Sequence, residues 1–118
     1  MENVTIERPW GWYKVLYSGK DYLVKCLRVK AGKRISLQSH QHRDEYWTVV
    51  EGSGSIECSP EVSILRPVEI GSQISIFRGD KHRLSASEYS DIEIIEVQHG
   101  ENLDESDILR YQDDFGRN

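Results

Sequence analysis

The stretch Gly32-Lys33-Arg34-Ile35-Ser36-Leu37-Gln38-Ser39-His40-Gln41-His42-Arg43-Asp44-Glu45 sets an amide, an imidazole and a carboxylate at positions 38, 40 and 45. Residues two apart on a strand point to the same side, so Gln38 and His40 face one way. Glu45 begins the next expected strand, and six residues separate it from Gly52. A second block, Gly71, five residues, then Phe77-x-Gly79-x-x-His82, delivers another imidazole from a distant strand. Either histidine alone reads as an ordinary polar residue of a barrel mouth. Jointly, Gln38, His40, Glu45 and His82 form a set of oxygen and nitrogen donors that suits a divalent transition metal. Amide and carboxylate oxygens beside imidazoles favour a harder, partly open, catalytic-type site over thiolate-rich structural zinc, and they do not distinguish zinc, cobalt, manganese or nickel.

On both sides of these blocks, stretches rich in Val, Ile, Tyr and Trp recur at roughly eight- to twelve-residue intervals between Gly, Ser, Asp or Pro, the pattern of an all-β sandwich or barrel. Strands are expected near 10–17, 22–30, 33–39, 45–51, 54–58, 62–68, 73–77, 82–86 and 92–98. Helical periodicity occurs only at 103–111, where Asp104, Glu105 and Asp107 precede or flank Ile108 and Leu109, and it predicts a short C-terminal helical turn on the barrel. The 118 residues fit a single domain, with an N-terminal arm over about 1–20, a barrel over about 21–100 and a tail over about 101–118.

Hydrophobic residues make up 37% and charged residues 30%, an ordinary globular composition. The formal charge of -5 argues against nucleic-acid binding. No apolar run approaches the roughly 20 residues of a membrane helix, and Glu2, Glu7 and Arg8 leave no signal-peptide core, so a cytoplasmic place is expected. Cys26 and Cys58 are isolated and read as reduced, structural thiols.

Alternation then sorts the cations. In the expected strand 22–30, Lys25 shares a face with Leu23, Leu27 and Val29. If that face is inward, Lys25 is an ammonium inside the barrel, and such a group needs a partner or a task; if outward, it is solvated. Arg8, Lys25, Arg43 and Arg83 are candidates for holding an anion, with Arg83 expected to point out and pair with Asp113 or Asp114. His42 shares the parity of His40 and reads either as a substrate-facing residue or as a loop histidine.

The two glycine-bounded blocks resemble the paired motifs of the cupin superfamily, with Gln38 and Phe77 where His and Pro usually stand. Closer still, Arg8-Pro9-Trp10-Gly11-Trp12-Tyr13, Leu23-Val24-Lys25, 36–47, Gly79-Asp80-Lys81-His82-Arg83-Leu84, Glu96-Val97-Gln98 and Asp113-Asp114-Phe115-Gly116-Arg117 are similar to the type II phosphomannose isomerase domain. That domain is commonly the C-terminal part of bifunctional mannose-6-phosphate isomerase / mannose-1-phosphate guanylyltransferases.

The resemblance implies a single-domain cupin (double-stranded β-helix) that interconverts mannose 6-phosphate and fructose 6-phosphate with a divalent metal. It implies a phosphorylated sugar as substrate, with a separate nucleotidyltransferase in the same pathway. Lys25, Glu96 and His42 are the candidates for proton transfer, and Arg8, Arg43, Gln98 and His99 for holding the substrate. A homodimer is expected, with the Trp-bearing arm 8–13 as an edge or swapped strand. Gln41, Asp44 and Tyr46 depart from the family's usual residues, and Asp44 would add negative charge beside a phosphorylated ligand. Two other functions therefore stay open: a non-catalytic module binding a sugar or nucleotide sugar, and a different cupin enzyme acting on nucleotide sugars.

Overall fold

Runs of β-branched and aromatic residues form ten strands, and no helix, among residues 2–117, which the computed structural model describes. They are β1 (Ile6–Arg8), β2 (Gly11–Ser18), β3 (Tyr22–Val29), β4 (Leu37–Ser39), β5 (Asp44–Cys58), β6 (Arg66–Glu69), β7 (Gln73–Ile76), β8 (His82–Ala86), β9 (Ile92–His99) and β10 (Leu109–Gln112). The hydrogen-bonded order is β1-β2-β3-β9-β5-β8-β4-β10, with β6 and β7 also paired to β5. The strands curl into the all-β, double-stranded β-helix architecture that the sequence led us to expect.

β5 makes the curl possible. The strands expected at 45–51 and 54–58 are one 15-residue strand that belongs to both walls. Its first part pairs with β7 and β9, and its second with β6 and β8. The corner lies at Gly52, with φ of 77° and a register shift between Val49 and Glu51 just before it. A Cβ at Gly52 would stand 1.8 Å from the Asp91 carbonyl oxygen, so the bend needs glycine for both its dihedral and its space.

The barrel interior is layered. Across β3, β9 and β5 the register aligns Leu27, Ile94 and Val49 in one inward row and Lys25, Glu96 and Trp47 in the next, followed by Leu23, Gln98 and Glu45. The apolar layer continues into Val29, Ile56, Ile76, Leu84 and Ile92, all buried. Lys25 is thus inside, at 4% exposure.

The tail departs from expectation. Residues 103–111 form a turn and then strand β10, which extends the sheet at β4. The acidic side chains that suggested a helix start serve other backbone: Asp104 accepts from Ser106 N–H, and Asp107 accepts from the N–H groups of Gln41 and His42. The free edge of β4 offers Leu109–Gln112 a ladder that a one-turn helix could not match. Arg83 also differs. It is buried, donates to the carbonyls of Ile35 and Gln112, and so staples β10 down, while Asp113 pairs with Arg117 and Asp114 with Arg34. Strand β1 was not foreseen. No helix among the described residues is long and apolar enough to cross a membrane, and Cys26 and Cys58 are separate buried thiols.

Replacing Gly52 by Ala is expected to destabilise the fold by about 2 kcal/mol or more through the forced dihedral and the clash with Asp91; urea unfolding of wild type and variant measures it.

Candidate metal centre

Strands β4, β5 and β8 bring His40, Glu45 and His82 together, with one ligand atom from each lying within 4.8 Å of the others. The turn before β8 links the two sequence blocks, because the Gly79 N–H donates to the His40 carbonyl. Both imidazoles are held in the same way. The Nδ1 of His40 meets the carbonyl of Asp107 at 2.7 Å and that of His82 meets the carbonyl of Asp80 at 3.0 Å. A carbonyl only accepts, so each Nδ1 carries the proton and each Nε2 turns a lone pair toward Glu45. This is the way a protein fixes the tautomer of a metal-binding histidine.

The Nε2 atoms lie 3.3 Å (His40) and 3.9 Å (His82) from the two Glu45 oxygens. His82 is fully buried, and its Nε2 has no hydrogen-bond partner among the described residues. A buried acceptor without a donor is costly, and a cation between it and Glu45 removes the cost. Burial lowers the pKa of both histidines, that of His40 to about 4, leaving them neutral at physiological pH as metal ligands must be. Burial works against ionised Glu45, but the Arg43 guanidinium bonded to it holds its carboxyl below the usual range.

Gln38 lies directly across from His82 and lines one cavity with His40 and Glu45, its amide oxygen accepting from the Ser36 hydroxyl at 3.0 Å. The donor set fits a divalent transition ion. Arg43 donates from Nε to Glu45 Oε2 at 2.8 Å and lies 3.3 Å from His40 Nε2, so it shares the carboxylate with any ion bound there. Trp47 Nε1 donates to the other Glu45 oxygen.

A second charged pair faces the same cavity of about 70 Å3. Lys25 pairs in register with Glu96, and its Nζ reaches Glu105 at 2.5 Å over the Tyr13 ring. Burial opposes the Lys25 charge, yet Glu96, Glu105 and Glu45 raise its pKa, so it stays an ammonium. Burial, and then the charge of Glu45, push Glu96 up to about 7 despite Lys25. Gln98, buried across from Glu45, steadies Glu96 with a 2.6 Å hydrogen bond.

Arg8 stands at the mouth of the cavity, donating to Tyr13 Oη. His42 and His99 do not join the site: both are exposed, and neither lines the cavity. Gln41, Asp44 and Tyr46 also lie outside it. Asp44 turns away to accept from the Arg78 N–H, and Tyr46 is exposed on the outer face of β5. The sequence reading missed Tyr13, Glu105, Asp107 and Arg110, three of which lie in the misread tail; a period-two reading of 108–112 would have put Arg110 on one face with Ile108.

Comparison with known proteins agrees with this geometry. The family model described as Mannose-6-phosphate isomerase C-terminal matches residues 1–113. A mannose-1-phosphate guanylyltransferase of Salmonella montevideo is 42% identical over 113 residues, covering 96% of this chain and 23% of that protein. An alginate biosynthesis protein of Pseudomonas aeruginosa is 40% identical over 112 residues, covering 95% and 23%. The chain thus spans about a quarter of the length of these curated relatives. A double-stranded β-helix protein of Klebsiella pneumoniae superposes with a TM-score of 0.72 at 17% identity, over 95% of this chain and 88% of that one, a likeness of fold.

Substituting His82 by Ala should lower affinity for zinc or cobalt at least about 100-fold, and Asp107→Ala, which frees the 41–42 backbone beside His40, about 10-fold. Competition against a chromogenic chelator reads both.

Proposed function

Because the chain belongs to the Mannose-6-phosphate isomerase C-terminal family, we propose that it interconverts mannose 6-phosphate and fructose 6-phosphate, with a divalent metal held by Gln38, His40, Glu45 and His82. The observation that carries this reading is that Lys25 and Glu96, buried and paired in register, line the same cavity as Gln38, His40 and Glu45. Aldose–ketose isomerisation needs a group that removes a proton from one carbon and returns it to the next. A divalent ion there supplies Lewis acidity to the carbonyl and its neighbouring hydroxyl.

Glu96, with its pKa near 7, suits the shuttle: as a carboxylate it takes the C2 proton of the aldose, and as the acid it returns that proton to C1. Lys25 remains positive throughout and offers its N–H groups to the sugar oxygen that gains negative charge. Gln98 fixes Glu96, and Arg8 and Arg43 hold the ligand. His42 and His99 have no part in this scheme, since both side chains face solvent.

The cavity of about 70 Å3 has room for ordered waters and is small for a whole sugar phosphate. Entry of substrate therefore requires Glu105 to leave Lys25 and the 101–108 segment to swing out. The three departures around Glu45 lie outside the cavity, which supports an unaltered sugar specificity.

The names of two relatives, a mannose-1-phosphate guanylyltransferase and an alginate biosynthesis protein, support a role for such a product in supplying mannose units for polysaccharide biosynthesis. In that setting the chain works in the cytoplasm beside a separate nucleotidyltransferase, as a homodimer joined through the free edge of β1.

Incubating metal-loaded protein with mannose 6-phosphate in deuterated water should exchange the C2 proton and produce fructose 6-phosphate signals in proton NMR, and a chelator should abolish both. No exchange with any divalent ion overturns the isomerase and leaves a binding module. Glu96→Gln should lower kcat at least about 100-fold with metal affinity retained. Since the base works ionised, wild-type kcat should rise with pH through about 7.

A further inference from the structure

Arg110 is the one cavity-lining cation with a buried N–H that nothing among the described residues answers. It sits on β10 opposite Gln38, which is itself opposite His82 on β8. Antiparallel partners share a face, so Arg110, Gln38 and His82 form a single inward row over three strands, about 10 Å from end to end at about 4.8 Å per strand. A register shift follows immediately at Tyr111. Tyr111 turns to the other side, where its hydroxyl meets Ser39 and its ring carries the Lys81 ammonium at 4.3 Å. Bulges beside sites re-aim side chains in this manner.

The other cations lining the cavity are matched. Lys25 has Glu105, Arg43 has Glu45, and Arg117 makes two side-chain bonds to Asp113. Arg8 donates to the Glu7 carbonyl and the Tyr13 hydroxyl. Arg110 makes no ion pair among the described residues, and its Nε is buried without a hydrogen-bond partner. A guanidinium always bears its charge, and an unanswered buried N–H destabilises the fold, so the position makes sense if an anion completes it. A phosphoryl group, which accepts from two guanidinium N–H groups at once, is the best match.

We propose that Arg110 grips the phosphoryl group of a sugar monophosphate laid along the Arg110–Gln38–His82 row, and thereby selects phosphorylated over free sugar. This deepens the reading of the cavity as a sugar-phosphate site and rests on it. The row fixes direction as well as affinity: phosphate toward β10, the reacting carbons toward β8.

The test uses metal-loaded protein with inorganic phosphate as probe, followed by calorimetry and by the fluorescence of Trp10 and Trp47, both of which line the cavity. Wild type should bind phosphate, and mannose 6-phosphate should displace it. Arg110→Gln should weaken phosphate at least tenfold, raise KM for mannose 6-phosphate by a similar factor with kcat changed less than threefold, and leave zinc affinity unchanged. Arg110→Lys, which keeps the charge and loses the fork, should weaken phosphate at least threefold; it stands in if the Gln variant fails to fold. Unaltered phosphate binding in these variants overturns the proposal, as does displacement of phosphate by a nucleotide sugar alone. Phosphate and mannose 6-phosphate binding that depends on Arg110 without turnover sinks the isomerase reading and keeps this one. Turnover with an unchanged KM in the variants does the reverse.

Discussion

Two carboxylates, Glu45 and Glu96, are sealed in adjoining layers of one barrel, and the rest of the interior answers the cost of that burial. A lone buried carboxylate would take up a proton. Glu45 avoids this because the Arg43 guanidinium and the Trp47 N–H donate to it, whereas Glu96 is left on the boundary between its two forms. The difference between two acids in the same cavity is therefore one of neighbours. One becomes a permanent anion fit to hold a metal, and the other a group that can both take and give a proton near neutral pH.

The layering explains how a barrel of this size tolerates so much charge. Along β9 the inward residues run Ile92, Ile94, Glu96, Gln98, so one strand supplies both the apolar floor and the polar chamber above it. The same change occurs on β3 between Leu27 and Lys25 and on β5 between Val49 and Glu45. Because the change falls at the same register on β3 and β9 and one row further along on β5, the charged groups are brought together above the apolar layer. A slip of one residue in any of these strands would put Ile or Val outside and strand a charge, which makes the register unusually well determined.

Much of this was legible from residues alone. Period-two alternation located most strands and put Lys25 on one face with Leu23, Leu27 and Val29, leaving the direction of that face to the structure, and the glycine-bounded blocks brought His40, Glu45 and His82 into one cluster. What failed was local chemistry read without its tertiary partner. Asp104, Glu105 and Asp107 look like a helix start, but an Asp can cap the backbone of any neighbour, and here Asp107 caps 41–42 and Glu105 meets Lys25. The parity that made His42 attractive ended with β4, since a turn separates it from His40. Arg83 was expected to point out to Asp113 or Asp114, but it is buried and donates to the carbonyls of Ile35 and Gln112, because the strand β10 that brings Gln112 within reach was not foreseen.

His40 owes its orientation to a main-chain oxygen, that of Asp107. Every amino acid has that oxygen, so the histidine's tautomer is written in the path of the chain and survives whatever side chain stands at 107. A change in the number of residues between β9 and β10 would carry the carbonyl away from the ring even if every side chain were kept. The 101–108 segment is therefore also a ruler: its length sets the ring of His40, apart from what the side chains of Glu105 and Asp107 do for Lys25 and the 41–42 backbone.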